Sequence, residues 1–225
     1  MTVDNRPLRR KQEKTSKPID TTLNGLFPTP LYSTKRDMNT SSLENNDIED
    51  IIKEGMNKNQ GNSSSTNNYI FNEKLKKIKQ FCEQQIKIYV EQVISPKEKL
   101  NFYITQSWLN VTNPGGYHHT HSHSNSLISG VFYISNEEDD RIIFEHPNRK
   151  LLEMTSFEFE TSNVWNTYVV TSPCETNTLL LFPSWLNHTV APNEKATKDR
   201  ISISFNTFVK GTLGNNSALS ELILK

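Results

Sequence analysis

RISISFNTFV, residues 200–209, alternates so that Ile201, Ile203 and Phe205 share one face while Arg200, Ser202, Ser204 and Asn206 share the other. Period 2 marks a strand, because successive side chains leave opposite faces of a pleated backbone. One face here is apolar, and the other carries an arginine among hydroxyls. The same period, in runs rich in Ile, Val, Phe, Tyr and Trp, returns in FYITQSWLNV (102–111), LISGVFYI (127–134), RIIFEH (141–146), NVWNTYVV (163–170) and TLLLFP (178–183). Turn clusters such as NPGG (113–116) and PNEK (192–195) separate the runs. Short strands at this spacing predict a sandwich or barrel rather than a doubly wound sheet.

Upstream the period becomes helical. Phe71, Leu75, Ile78, Cys82, Ile86, Tyr89 and Val93 fall three or four apart, the stripe of one long amphipathic helix with Asn72 placed to cap it and Pro96 just past its end. Leu43, Ile48, Ile51, Ile52 and Met56 predict a shorter helix over 43–56, and GNSSSTNN (61–68) reads as a loop. LFPTPLY (26–32), broken by Pro28 and Pro30, suits an extended edge strand or a chain laid over the core. RPLRRKQEKTSK (6–17) has six positive charges, one negative and almost no apolar content, so a flexible basic tail is expected. The organisation expected is a tail over 1–25, an extended segment and supporting helices over 26–100, a β core over 101–215 and a C-terminal tail over 216–225. The class is mainly β (α+β), with the N-terminal helices packed on one sheet.

Composition narrows the function classes. The 225 residues hold 25 Lys+Arg and 25 Asp+Glu, a balance that argues against a general nucleic-acid or anionic-membrane binder. The apolar fraction is 34%, but residues 1–69 contribute only 16 of those side chains, so the deficit belongs to the N-terminal third. No apolar run approaches the length of a membrane span, and the start of the chain shows no apolar h-region. Cys82 and Cys174 make no disulfide framework and read as reduced thiols of a cytoplasmic protein. Phosphate-binding glycine loops, a GxSxG elbow and a CxxC pair are all missing from the sequence.

Four of the six histidines, His118, His119, His121 and His123, lie within residues 118–123. On a strand the i and i+2 side chains leave the same face, so an HxH pair can reach one ion. Spacing alone leaves His119/His121 and His121/His123 open, and the second lies nearer the next strand. A third ligand is offered by His188, which follows the strand and turn of TLLLFPSWLNH, whereas His146 before Pro147 reads as a surface residue. Arg200 stands on the polar face of its strand and, held inside a barrel, needs an anion; its planar fork suits a carboxylate. The acidic run EEDD (137–140) reads as a solvated hairpin tip. Trp108, Asn110, Tyr117 and Trp185 flank the presumed mouth and are candidates for touching a substrate.

GGYHHTHSHSNSLISGVFYI, TLLLFPSWLNHTVAP and DRISISFN together resemble the Fe(II)- and 2-oxoglutarate-dependent oxygenases, most closely a group found in bacteria and their phages. The resemblance spans roughly residues 26–210. It implies a double-stranded β-helix, the jelly-roll or cupin-like fold, with Fe(II), 2-oxoglutarate and O2 as cofactor and cosubstrates and ascorbate as an accessory reductant. It also implies His121, His123 and His188 as the metal ligands, and Arg200 with Ser202 as the clamp on the far carboxylate of 2-oxoglutarate. Tyr133 would reach the same carboxylate. Where most of the superfamily has a carboxylate in the first motif, this chain has His123. The implied reaction is hydroxylation of a small-molecule or protein substrate with release of succinate and CO2, in the host cytoplasm if the chain is phage-encoded. A homodimer is left open.

Two rivals stand beside this reading. Three histidines on neighbouring strands also describe a zinc hydratase or hydrolase, which has no use for Arg200. The other is a non-enzymatic β-sandwich binding or phage assembly module, whose metal is structural or absent. A cupin site proper lacks its Glu, since positions 127 and 128 are Leu and Ile.

Overall fold

A computed structural model of the chain describes residues 22, 24–154 and 157–225, so the basic run 6–17 lies outside the described residues. In chain order the elements are β1 (Tyr32–Lys35), α1 (Ser42–Glu54), β2 (Met56–Lys58), β3 (Ser63–Ser65), α2 (Lys76–Tyr89), β4 (Asn101–Thr112), β5 (His118–His121), β6 (Ile128–Ser135) and β7 (Arg141–Glu145). There follow α3 (Arg149–Leu152), β8 (Val169–Pro173), β9 (Thr178–Pro183), β10 (His188–Val190), β11 (Arg200–Leu213) and β12 (Leu222–Leu224). A larger sheet runs β1-β9-β6-β11-β4-β3-β2, with β12 pairing onto the end of β11. A smaller one runs β5-β10-β7-β8, and every strand pair in both sheets is antiparallel. The protein is mostly β, two sheets with few helices, as the period-2 runs predict.

The alternation sorts the side chains of the larger sheet into two cores. Ile128 and Phe132 of β6, Leu179 and Leu181 of β9, and Ile203 and Phe205 of β11 join Ile78, Cys82 and Ile86 of α2 in one cluster. Their neighbours Val131 and Tyr133, Leu180 and Phe182 point the other way and pack with Ile142 and Phe144 of β7 and Leu186. The helices therefore cover one face of the larger sheet, and the smaller sheet covers the other. Gly130 marks how tightly the first layer is packed, since a Cβ there would stand 2.1 Å from Phe205 Cζ. Gly130→Ala is expected to destabilise the fold by about 1–3 kcal/mol or more through overpacking. Urea unfolding measures it, and an unchanged midpoint would contradict this packing.

Local departures from the sequence reading have local causes. Helix α1 begins at Ser41 with a full capping box, in which Ser41 Oγ accepts from Glu44 N–H (3.3 Å) and Glu44 Oε2 accepts from Ser41 N–H (2.7 Å). The long stripe does not form one helix from Asn72. Residues 70–72 make a 3-10 turn, Leu75 takes a left-handed conformation (φ 58°) with its N–H on Asp47 Oδ2 (2.7 Å), and α2 starts only at Lys76. The segment GNSSSTNN is not all loop: Ser63–Ser65 pairs with β2 and β4, and Ser65 Oγ accepts from Leu109 N–H (3.0 Å). In NVWNTYVV only Val169 and Val170 are strand. Asn163 and Asn166 fold the rest into a turn, with Asn166 Oδ1 accepting from Asn163 N–H (2.7 Å) and Asn163 Oδ1 from Trp165 N–H (2.8 Å).

No helix among the described residues is long and apolar enough to cross a membrane. Both cysteines are free and buried.

Candidate active site

Between the two sheets lies a cavity of about 50 Å³ whose walls come from opposite sides of the sandwich. The larger sheet contributes Trp108, Asn110 and Thr112 of β4, Tyr133 of β6, and Arg200, Ser202 and Ser204 of β11. The smaller sheet contributes His118 and His121 of β5, Ile142 of β7, and His188 and Val190 of β10, and His123 stands on the loop after β5. The polar faces of the period-2 strands thus converge on one small space.

Pairing of β5 with β10 sets His121 opposite His188, with ring centroids 4.3 Å apart. His123 is placed by its backbone N–H, which donates to Ser184 O (2.9 Å), and its ring lies near parallel to that of His188 at 5.3 Å. The ligand atoms of His121, His123 and His188 all lie within 4.8 Å of one another. Two of the rings have their tautomer fixed by the backbone: His121 Nδ1–H donates to His119 O (2.8 Å), and His188 Nδ1–H donates to Leu186 O (2.9 Å). Each therefore keeps its Nε2 lone pair for an ion, the arrangement that orients a metal-ligating imidazole. Three neutral imidazoles suit Fe(II) and leave the ion its full double charge.

Burial keeps these rings neutral. Desolvation lowers His123 to about 4 and His188 to about 3, and it lowers His121 as well. The unfolded chain takes up these protons near pH 6.5, the folded one only at much lower pH. Stability is therefore complete above about pH 6.5 and is lost as pH falls toward the folded values. The melting temperature of the metal-free protein is expected to drop between pH 7.5 and pH 5, and His188→Ala should flatten that slope. A melting temperature that is level across this range in the parent protein would contradict the burial of neutral rings.

Arg200 occupies the inward face of β11, as its alternation requires. Its Nη1 pairs with Asp140 Oδ1 at 2.7 Å, both side chains buried, and its Nη2 is buried with no partner. Tyr133 Oη is likewise buried without a hydrogen-bond partner, and burial beside the Cys174 thiol raises its pKa well above the usual phenol range. Two orphaned donors on residues lining a small cavity, with three metal-competent imidazoles also in its wall, are the features that a bound dicarboxylate would satisfy. The residues present fit Fe(II) and 2-oxoglutarate.

The sequence reading of EEDD as a solvated tip needs correction at its last residue. Asp140 is 2% exposed and anchors Arg200; Asn193 Nδ2 donates to the same carboxylate oxygen, Asp140 Oδ1, at 3.3 Å. Of the proposed mouth residues, Trp108 and Asn110 line the cavity, Trp108 lying 5.8 Å from the His123 ring and Asn110 Nδ2 donating to Ser204 Oγ (2.9 Å). Tyr117 and Trp185 do not line it: Tyr117 packs on the Gly61 turn, its N–H on Gly61 O, and Trp185 is 57% exposed. His146 stands apart from the histidine cluster, its Nδ1 accepting from Asn148 N–H (3.0 Å).

Residues 106–206, which contain this whole constellation, match the family described as "Putative 2OG-Fe(II) oxygenase". This stretch is similar to the 2OG-Fe(II) oxygenases. Among curated proteins no sequence matches closely enough to count as a relative. Solved structures of the same fold include a Pseudomonas putida prolyl-4-hydroxylase (12% identity, 79% of this chain and 92% of that one, TM-score 0.52). Another is HygX from Streptomyces hygroscopicus with nickel and 2-oxoglutarate bound (10% identity, 80% and 82%, TM-score 0.54). A third is a Trichoplax adhaerens prolyl hydroxylase in complex with a hypoxia inducible factor peptide fragment (14% identity, 79% and 83%, TM-score 0.53). At such identities the likeness establishes a shared jelly-roll fold. The His121/His123/His188 triad could hold an iron ion, and the family matched over residues 106–206 is one of 2OG-Fe(II) oxygenases.

Proposed function

We propose that the protein is a hydroxylase that holds Fe(II) through His121, His123 and His188 and 2-oxoglutarate through Arg200, Ser202 and Tyr133. When bound, the iron and 2-oxoglutarate supply the oxidising power, consuming O2 and releasing succinate and CO2 as an unidentified substrate is hydroxylated. The chain's own part is placement. Arg200, immobilised by Asp140, presents Nη2 to a carboxylate, and Tyr133 Oη adds a second donor to the same group. Backbone carbonyls of His119 and Leu186 orient two of the imidazoles. Val131, Ile142 and Phe182 give the cavity a buried apolar wall that excludes water. Trp108, its ring 5.8 Å from that of His123, and Asn110 are the cavity residues we assign to meeting a substrate.

The observation that carries this reading is the pair of unpartnered buried donors, Arg200 Nη2 and Tyr133 Oη, in the wall of the cavity that the three histidines also line. The test is turnover of 2-oxoglutarate to succinate in the presence of Fe(II) and O2, without added substrate. Slow uncoupled turnover is expected, and Tyr133→Phe should raise the KM for 2-oxoglutarate by about tenfold, the worth of one hydrogen bond to a charged group. Succinate formation that is absent in the parent protein, or a KM indifferent to Tyr133, would count against it.

A further inference from the structure

Strand β5 carries one residue more than the strand it pairs with. Against β10 the register runs His188↔His121 and Val190↔His118, so three steps along β5 oppose two along β10. Residues three apart on a regular strand leave opposite faces, and a bulge returns them to the same one. His118 is thereby brought round to the cavity beside His121, their ring centroids 4.2 Å apart. Thr189 Oγ1 donates to His118 O (2.6 Å) and pins the bulge in that position. His119 stands on the solvent side, 5.0 Å from the His118 ring and 5.6 Å from that of His121. The ligand atoms of His118, His119 and His121 lie within 4.8 Å of one another, the same closeness as in the triad of the candidate active site.

We propose that His118, His119 and His121 form a second cation seat, selective for zinc, which cannot be filled while an ion occupies the His121/His123/His188 seat. Both triads need His121, and His121 has a single lone pair to give because its Nδ1–H is engaged by His119 O. Three imidazoles with one open position match the tetrahedral preference of Zn2+. Nitrogen donors also bind zinc more tightly than Fe(II). Around an ion at Zn–N of about 2.0–2.1 Å the donors must draw together, and the exposed His119 side chain is the one free to do so. The outer seat opens to solvent, whereas His188 of the inner seat is buried, so zinc meets the outer seat first. Zinc bound there withdraws His121 from the inner triad, and the histidine run becomes a zinc-operated brake on the metal centre beside it.

The experiment is an equilibrium titration of the metal-free protein with Zn2+ against a chromophoric chelator. The parent should bind one equivalent, not two. His188→Ala and His123→Ala each break only the inner seat and should still bind one equivalent, with Kd within about tenfold of the parent. Adding His119→Ala to either should weaken that binding by about a hundredfold or more. His123 stands on a loop, so its variant leaves the sheet hydrogen bonds intact even if loss of the buried His188 perturbs the fold. Two equivalents in the parent would overturn mutual exclusion. Loss of zinc in His123→Ala alone, or a double variant that binds as well as the single one, would overturn the outer seat. These readouts are of zinc alone and do not depend on whether 2-oxoglutarate is the cosubstrate.

Discussion

Arg200→Ala is expected to weaken 2-oxoglutarate binding by about a hundredfold or more and to cost about 3–5 kcal/mol of folding stability. The two losses have different origins. Binding suffers because Nη2, the unpaired end of the guanidinium, is the charge that would meet a carboxylate in the cavity, and charge-assisted bonds of that kind are worth about 1.5–3 kcal/mol each. Stability suffers because Asp140 is left as a buried carboxylate without its cation. Removing both charges separates them: Arg200→Met with Asp140→Leu should regain much of the stability, since a buried pair replaced by apolar groups is close to neutral, and should regain none of the binding. Calorimetry with 2-oxoglutarate on the metal-loaded protein and urea unfolding of the metal-free one read the two effects independently. An Arg200→Ala protein that binds 2-oxoglutarate like the parent would remove Arg200 from the site.

His121→Ala is expected to have the largest effect on metal binding, lowering Fe(II) affinity by about a thousandfold or more and abolishing turnover. The loss exceeds that of any neighbouring histidine because His121 belongs to both histidine triads. The apo fold should survive, since His121 is only half-buried and its strand is held to β10 by backbone pairing. His146→Ala is the matched control, a histidine outside both triads, and should leave Fe(II) affinity within about twofold of the parent. Anaerobic Fe(II) titration with a melting curve on the same samples checks both. Fe(II) binding in His121→Ala equal to that of the parent would contradict the placement of the centre.

Much of this was legible in the sequence because a strand writes its two faces as alternate letters. RISISFN announced that Arg200 and Ser202 would share a side opposite Ile203 and Phe205, and the two side-chain sets do separate into cavity and helix-facing core. What was hidden depends on partners far along the chain or on a break in the period. Asp140 looked like one acidic residue among four until β11 brought Arg200 to it across sixty positions, and no local pattern encodes such a pair. Alternation alone would turn His118 to the opposite face from His121, and only the β5 bulge reverses that. β3 escaped notice because its side chains are serines, with a hydroxyl bonded to backbone in place of apolar burial. Tyr117 and Trp185 do not line the cavity, because nearness in sequence to a ligand says nothing about direction when the backbone turns between them.

The central claim is that one cavity holds a three-histidine metal site and a carboxylate clamp together. Anaerobic titration with Fe(II) and then 2-oxoglutarate, followed by visible absorption, tests it most directly, because the metal-to-ligand charge-transfer band arises only when 2-oxoglutarate chelates the bound iron. The parent should develop the band on addition of both, His121→Ala should show none, and Arg200→Ala should need about a hundredfold more 2-oxoglutarate to reach it. No band in the parent, with zinc still bound tightly by the same histidines, would contradict the account.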